Sequence, residues 1–415
     1  MDSKKLFTYI TLCLGVFPLV KLNHFSMVMI VWFLVALYNA YKSKTFSSVF
    51  KDRSSLYTLA ISTLLFWVYL LYFPLISDTK ELSKIVVKSL PILIFPFGFL
   101  LNKSSIKKEM VSKFLWVFVG STILINCFGW IEVFRQGIAE VWNTNDFYHP
   151  TFRTIFSESS RLHIPYLGLL TSFASLLIVY QLFYKNVHKI TGGLFTLFLV
   201  FSLYIYSARM ALGIFLIGFL YILWRKIASL RLRLLLLVLV PFLSGMILWF
   251  SPIKERYQTS LDTELQLPHE GQQPHEVNYR YGIWHCSTQI LKQNLWTGVG
   301  PDQVQKSLNQ CYDTFTYQSY EDFTKVTYNT HNQYMDWMLK FGIVISTLIF
   351  CSLFVFIRQS DILYHLFVLT LVLSFVTENV LDRQIGVVFY SLFNAIFVIY
   401  KNKNLEKSTR SRLVR

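Results

Sequence analysis

Arg209 is the first residue whose type and surroundings suggest chemistry. It lies in Tyr206-Ser207-Ala208-Arg209-Met210, between two long apolar segments that leave almost no loop. A charge in such a place is costly unless it meets a partner or lines a wet cavity. A structural interpretation stays open, because a long arginine side chain can also extend to the edge of an apolar layer and keep its charge in water.

A second candidate cation, Arg280, begins the stretch Arg280-Tyr281-Gly282-Ile283-Trp284. On a helix, Trp284 would follow Arg280 by one turn, so a structural cation–π pair would explain both residues. The functional alternative makes Arg280 a second fixed cation beside Arg209. Two guanidinium groups suit a diphosphate, because each of them binds phosphate oxygens through two parallel hydrogen bonds.

His331 is the candidate for acid–base chemistry. It stands with Asn332 after Asn329-Thr330, where a long polar stretch meets the next apolar block. Asn and Thr are good helix N-caps, so the histidine could be incidental to a helix start. A neutral imidazole in a cavity at such a boundary is also suited to act as general base for a hydroxyl near pH 7. The residues alone leave both interpretations open.

Other charged residues near apolar segments have no clear chemical role. Lys88 and Lys340 fall within or close to such segments, and the sequence assigns neither of them. Glu378, Asp382 and Arg383 cluster in one short stretch, where a salt-bridged structural cluster is the favoured interpretation. The Pro-His-Glu repeat, at 268–270 and 274–276, fits no established metal spacing and indicates a flexible loop.

The composition shows what kind of protein must position these side chains. Of 415 residues, 54% are hydrophobic and only 15% are charged, with a mean hydropathy of +0.45. Soluble domains carry about 25% charged residues. This excludes a soluble cytosolic enzyme, a disulfide scaffold and a disordered protein. The net charge of +16 would suggest nucleic acid in a soluble protein, but here the positive-inside rule explains most of it, and no nucleic acid partner is expected.

Long apolar blocks predict an all-α polytopic membrane protein with about twelve transmembrane helices. The predicted spans are 6–22, 26–41, 56–76, 85–101, 112–134, 164–184, 192–208, 211–224, 234–252, 333–357, 363–379 and 385–400. They divide the chain into nine spans in 1–252, a large loop at 253–332, three spans in 333–400 and a basic tail at 401–415. The first apolar block lacks a cleavage site and is expected to be a retained helix.

Basic residues alternate from loop to loop and set the expected orientation. The rich loops include those with Lys42, Lys103, Arg225 and Arg358, and the tail, so both termini are expected in the cytoplasm. The loops 135–163 and 253–332 then lie outside. In the loop 253–332, the pattern of apolar residues from Tyr279 to Leu295 predicts an amphipathic helix. Cys286 and Cys311 also lie there, and whether they are paired stays open.

These residues together resemble the O-antigen ligase and polymerase superfamily of bacterial envelopes. The resemblance is carried by Ser207-Ala208-Arg209, Arg280-x-x-x-Trp284, Asn294-Leu295-Trp296-Thr297-Gly298-Val299-Gly300, Thr330-His331-Asn332-Gln333-Tyr334 and Lys340-Phe341-Gly342-Ile343. His331-Asn332 and Gly342 have the spacing of the ligase motif, whereas Ile345 stands where ligases carry Gly, Thr or Tyr. The motifs cover roughly 205–345.

The resemblance implies a GT-C-like, metal-independent, inverting glycosyltransferase without a cofactor, at the periplasmic face of the bacterial inner membrane. Its donor would be a glycan on undecaprenyl diphosphate. Arg209 and Arg280 match the pyrophosphate-binding arginines, and His331 matches the catalytic histidine. Asn332, Trp284, Glu378 and Arg383 are supporting candidates, and no metal ligand is expected.

The choice of acceptor separates the members of the superfamily. One dominant loop late in the chain favours a ligase, which uses a sugar hydroxyl of the lipid A core, over a polymerase that joins lipid-linked repeats. Transfer to protein hydroxyls is a third, less favoured activity. A transporter or flippase is the alternative from another class, and the position of the long loop disfavours it. The sugar, its linkage and the oligomeric state are not indicated.

Overall fold

The structure, a computed structural model, describes the segments 2–72, 79–145, 150–185, 188–249, 265–272, 277–315, 323–357 and 361–413. All regular secondary structure within these segments is helical, which confirms the expected all-α class for the described part of the chain.

In chain order, the α-helices of these segments are α1 (Ser3–Cys13), α2 (Leu22–Lys42), α3 (Phe46–Lys51), α4 (Arg53–Ser62), α5 (Leu64–Leu71), α6 (Thr79–Leu101), α7 (Lys108–Gln136), α8 (Ile138–Thr144), α9 (Thr151–Ser160), α10 (Ile164–Tyr184), α11 (Lys189–Ile205), α12 (Arg209–Lys226), α13 (Leu230–Trp249), α14 (Tyr279–Asn294), α15 (Val304–Tyr312), α16 (Phe323–Val326), α17 (Gln333–Ser352), α18 (Ile362–Phe375) and α19 (Gln384–Leu413).

Several of these helices can cross a membrane. Helices α2, α6, α7, α10 and α17 each contain a segment that is long and apolar enough to do so. Helices α4 and α5 qualify only as a pair, bent by 60° at their junction. Helices α11 and α18 and the first part of α19, Gln384–Tyr400, are apolar but shorter. This pattern fits a multi-pass membrane protein, and the total of about twelve spans stays a prediction.

The first predicted span, 6–22, is not one helix. Helix α1 ends at Cys13, a 3₁₀ turn follows at Leu14–Val16, and α2 begins at Leu22. Hydropathy does not reveal this break because both sides of it are apolar. The turn packs closely on α7, where the Ser121 hydroxyl donates a hydrogen bond to the carbonyl oxygen of Gly15 at 3.1 Å.

The predicted span 56–76 also breaks, at Thr63 between α4 and α5. The Thr63 hydroxyl donates to the carbonyl oxygen of Leu59 at 2.7 Å, a local bond that bends helices. At the other end of the chain, α19 continues through most of the predicted basic tail, 401–415. Four predicted features lie outside the described residues, namely the ends of the spans 56–76 and 234–252, Arg358, and the Pro-His-Glu copy at 274–276.

Helix α10 lies at the centre of the helical bundle. Its membrane segment is 89% buried, and it packs against α7, α11, α12 and α18. Gly168 allows α12 to come close, because a Cβ added there would lie 2.9 Å from the Cβ of Ala211 and 3.2 Å from that of Ala208. The start of α12, where Arg209 stands, is thereby held against the central helix.

The long loop has its own small hydrophobic core, built from α14, α15, α16 and one residue of α17. Helix α14 confirms the amphipathic helix expected at Tyr279 to Leu295 within one residue. A disulfide joins Cys286 of α14 to Cys311 of α15, which answers the question that the sequence left open. Phe323 and Leu339 complete the packing between the two helices.

Candidate active site

A break in α17 fixes the long loop to the membrane helices. Gly342 has φ +74°, and the amide of Ile343, freed from the helix ladder, donates to the carbonyl oxygen of Leu295 at 2.8 Å. On the other side of the break, Val299 N–H donates to Leu339 O at 2.7 Å. Backbone groups opened within a span must find such partners inside the protein. The turn at 295–299 is thus docked into the broken helix.

Only glycine fits at this break. A Cβ on Gly342 would lie 1.9 Å from the carbonyl oxygen of Trp296, and the positive φ is itself unfavourable for other residues. The motif from Asn294 to Gly300, predicted from the resemblance, therefore has a structural role here. It sets the position of α17, whose first residue directly follows His331-Asn332.

His331 is presented by a segment with an unusual backbone. Its φ is +45° and that of Thr327 is +52°, in a region that costs about 1–3 kcal/mol per residue for side chains of this kind. Side chains of the long loop hold the segment in place. The indole N–H of Trp284 donates a hydrogen bond to the carbonyl oxygen of Thr330 at 3.1 Å. The hydroxyl of Tyr312 donates a hydrogen bond to the carbonyl oxygen of Tyr328, also at 3.1 Å.

The contact of Trp284 decides between the two explanations for its motif. Its indole nitrogen is used to hold the backbone next to His331. Among the cation–π contacts of the described residues there is none between Arg280 and Trp284, so the structural pair that the sequence allowed is not formed. Trp284 supports the histidine segment instead.

Asn332 caps α17. Its side-chain oxygen accepts hydrogen bonds from the backbone N–H groups of Tyr334 and Met335, both at 3.0 Å, as an N-cap residue does. Its amide group donates to Val376 O at 3.2 Å. Because Asn332 supplies the cap, His331 is not needed for the helix start, and its side chain is available for other contacts.

Glu378 faces the imidazole of His331. The distance from His331 Nδ1 to Glu378 Oε2 is 3.6 Å, short enough for an ion pair but too long for a hydrogen bond. Nδ1 is buried and has no hydrogen-bond partner among the described residues, while the side chain as a whole is 31% exposed. A carboxylate at this place can orient the imidazole and stabilise the positive charge that forms when a histidine accepts a proton from a substrate.

Arg280 reaches the same place from α14. Its Nη2 donates to the carbonyl oxygen of Thr377 at 3.4 Å, directly before Glu378. Partial desolvation lowers the pKa of Arg280, Glu378 acts in the opposite direction, and the nearby positive charge of Arg209 lowers it further. An arginine stays charged under these conditions. Two guanidinium groups, 71 positions apart in the chain, therefore act on one another across this site.

Arg209 is the first residue of α12 and its side chain is exposed. The backbone amides at a helix N-terminus carry a partial positive charge, which adds to that of the guanidinium. The turn before it contains Ser207 at φ +51°. Arg153, on α9, holds this turn, because its Nη1 donates to the carbonyl oxygens of Tyr206 and Ser207, each at 3.1 Å.

The expected mutual cluster of Glu378, Asp382 and Arg383 is not formed. Asp382 points to the lysines and lies 2.6 Å from Lys340 and 3.9 Å from Lys88. Burial would raise the pKa of Asp382, but these two ammonium groups hold it below its usual range. Arg383 lies close to the hydroxyl of Tyr166, whereas Glu378 serves the histidine. The short helical turn at 380–382 separates the three side chains.

Lys340 therefore has a structural assignment that the sequence did not provide. Its ammonium group lies 2.6 Å from Asp336 as well as 2.6 Å from Asp382, with only 10% of its side chain exposed. Buried charges need such partners. This ion network of Asp336, Lys340 and Asp382 connects α17 to the stretch between α18 and α19.

Residues 193–350 match a family model described as O-antigen ligase. The match covers 158 of the 415 residues and supports the resemblance to the O-antigen ligase superfamily. The matched part of the chain runs from α11 into α17 and contains Arg209, Arg280 and His331. No curated protein matches the chain.

Three contributors to the site lie outside the O-antigen ligase match, namely Arg153, Glu378 and Asn379. Sequence reasoning missed Arg153 and Asn379 altogether. Arg153 stands in a polar loop with other arginines nearby, and no spacing marks it. Asn379 is buried between Glu378 and Val380, and only its contacts in three dimensions reveal it. The candidate site therefore combines residues inside the matched range with residues outside it.

Proposed function

We propose that this protein belongs to the O-antigen ligase superfamily and is an inverting glycosyltransferase. In this proposal it transfers a glycan from undecaprenyl diphosphate to a sugar hydroxyl of the lipid A core. The single observation that carries the proposal is that Glu378 faces His331 at 3.6 Å and also acts on the charge of Arg280, as the guanidinium of Arg209 does. Two cations and a base with its carboxylate are the groups that this reaction requires.

The arginines act on the leaving group. As the bond to the anomeric carbon breaks, negative charge grows on the departing diphosphate, and fixed cations stabilise that charge more in the transition state than before it. The N-terminus of α12 contributes in the same sense. Because two guanidinium groups supply the positive charge, the proposed reaction uses no metal ion.

His331 acts on the acceptor. Its imidazole takes the proton of the attacking hydroxyl, and Glu378 stabilises the imidazolium that forms. The hydroxyl oxygen forms a bond to the anomeric carbon while the bond to the diphosphate oxygen breaks, and the proton moves to the imidazole. A single displacement of this kind inverts the configuration at the anomeric carbon.

The proposed site faces the periplasm. The alternation of basic loops supports this orientation, since the long loop carries the site and lies opposite the lysine- and arginine-rich loops. The disulfide between Cys286 and Cys311 in the same loop also supports it, because disulfides persist outside the reducing cytoplasm.

Deletion of the gene in its own host tests the choice of acceptor. The lipopolysaccharide is separated on a gel beside the pool of undecaprenyl-linked glycans, and wild-type complementation is the control. A core without O-chain, with polymer stranded on undecaprenyl diphosphate, is the expected result. A core with a single repeat would instead identify a polymerase. An unchanged ladder would contradict both and favour another acceptor or a transport role.

A further inference from the structure

We infer that Asn379 is the positioning residue that sets the geometry of the His331–Glu378 pair. This inference rests on the proposed function only for its catalytic consequence, because the contacts themselves stand apart from the reaction. Asn379 is 1% exposed and lies directly after Glu378 in the chain. It was not among the residues that the motifs indicated.

One oxygen of Asn379 holds both chain neighbours of His331. Its Oδ1 accepts a hydrogen bond from the Thr330 hydroxyl at 2.9 Å and another from the backbone N–H of Asn332 at 2.8 Å. Thr330 is fully buried. The residue before the histidine and the residue after it are therefore fastened to the same atom.

These hydrogen bonds are made by the chain neighbours of His331 and Glu378. Thr330 and Asn332 flank His331, while Asn379 is the neighbour of Glu378. The two hydrogen bonds therefore connect the segment that carries His331 to the segment that carries Glu378. The imidazole and the carboxylate of these two residues face one another at 3.6 Å. A change in these bonds changes that distance. The unfavourable φ of His331, +45°, adds a reason why the segment needs such restraint.

The buried ions fix the orientation of the Asn379 amide. Its Nδ2 donates to Asp382 Oδ2 at 3.3 Å, and an ionised carboxylate only accepts hydrogen bonds. Turning the amide over would place its oxygen against the carboxylate and its NH₂ group against the backbone N–H of Asn332, which can only donate. Lys340, 2.6 Å from Asp382, keeps that carboxylate ionised. The ion network thus determines that the oxygen of the Asn379 amide, and not its nitrogen, faces the segment that carries His331.

Asn379 is itself anchored to the centre of the bundle. Its carbonyl oxygen accepts a hydrogen bond from the Tyr166 hydroxyl at 3.2 Å, and Tyr166 lies in the first turn of α10, the most buried of the membrane helices. The His331–Glu378 pair is in this way connected to a buried membrane helix as well as to the long loop.

The experiment compares Asn379→Ala with Asn394→Ala in the full-length protein, reconstituted in nanodiscs. Asn394 is a matched control, since it is also a buried asparagine, on α19, and accepts a hydrogen bond from Tyr364 at 3.0 Å away from the site. The measurements are transfer kinetics, the melting temperature and hydrogen–deuterium exchange of the peptide that contains residues 329–334.

For Asn379→Ala we expect a kcat reduced about 10- to 100-fold, the loss that a small displacement of a catalytic group causes. The KM for the lipid-linked donor should change less than about twofold. Exchange in 329–334 should be faster, and the melting temperature should fall no further than in Asn394→Ala. Thr330→Val, which removes one of the two donors and keeps the shape, should act in the same direction with a smaller effect.

The inference is overturned if Asn379→Ala keeps the kcat of Asn394→Ala or leaves the exchange in 329–334 unchanged. If Asn379→Ala does not fold, Thr330→Val decides by the same two criteria. Failure of the proposed function is seen separately, because the wild-type protein would then show no transfer, or His331→Ala would transfer at the wild-type rate. Faster exchange in Asn379→Ala would in that case still establish the restraint on the segment.

Discussion

The imidazole of His331 and the carboxylate of Glu378 face one another at 3.6 Å, although 47 positions separate them in the chain. Neither residue lies in a regular helix, and hydrogen bonds between their chain neighbours hold them in place, since Thr330 and Asn332 both donate to Asn379. The carboxylate therefore acts on the imidazole mainly through its charge.

Replacement of Glu378 by glutamine should lower kcat without raising the KM for the donor. The neutral amide cannot stabilise the imidazolium, so we expect kcat to fall about tenfold or more, within the ~10²–10⁴-fold range that general-base catalysis contributes. A carboxylate near the diphosphate site also repels the donor, so its KM should stay equal or decrease. Initial rates over a donor series give both values. Glu132→Gln, at an exposed pair with Arg135, is the control, and an unchanged kcat would refute the role.

Arg209→Ala and Arg280→Ala should each lower kcat about 10²–10³-fold, the loss typical when one stabilising group is removed from a developing negative charge. If both guanidiniums hold the same diphosphate, the double variant should lose less than the product of the two single losses. A double-mutant cycle on kcat/KM measures this coupling. Full transfer in both single variants would show that the arginines do not bind the leaving group.

Arg153→Ala should weaken donor binding through the turn that carries Arg209. Loss of its two hydrogen bonds to Tyr206 and Ser207 frees a backbone with φ +51° at Ser207. We expect the donor KM to rise about tenfold, equivalent to ~1.4 kcal/mol, with a smaller change in kcat. Arg135→Ala removes an exposed arginine of the neighbouring helix and is the control. Equal KM values in the two variants would exclude this positioning role.

Gly342→Ala tests the docking of the long loop into α17. The new Cβ would lie 1.9 Å from the Trp296 carbonyl oxygen at a backbone with φ +74°. We expect a loss of stability on the order of 3 kcal/mol or more, measured as a lower melting temperature. Gly213→Ala is the matched control on α12, since nothing lies within 4 Å of its added Cβ. Similar melting temperatures for the two variants would contradict the docking.

The sequence predicted the parts of the fold and site that depend on residue type and short spacing. Long apolar blocks predicted the all-α class, and the amphipathic pattern predicted α14 within one residue. Arg209, Arg280 and His331 were identified because charged or titratable groups beside apolar segments are unusual. The structure brings Arg209 and Arg280 to one site, together with the histidine's partner Glu378.

What the sequence did not predict depends on contacts between distant residues. The breaks at Thr63 and Gly342 lie within apolar stretches, so hydropathy continues through both. Asp382 was assigned to a cluster with its neighbours, whereas the backbone turn directs it to Lys340. Arg153 and Asn379 act by binding backbone atoms, and neither residue type nor spacing marks such a contact in advance.

The most direct test of the account is the rate of glycan transfer by His331→Gln in proteoliposomes that contain the undecaprenyl-diphosphate-linked donor and a lipid A-core acceptor. His285→Gln, in the same long loop, is the control. The account predicts that His331→Gln loses at least about 10²-fold in kcat while its melting temperature matches that of the control. A rate within a few-fold of the wild type would contradict the assignment of His331 as the base.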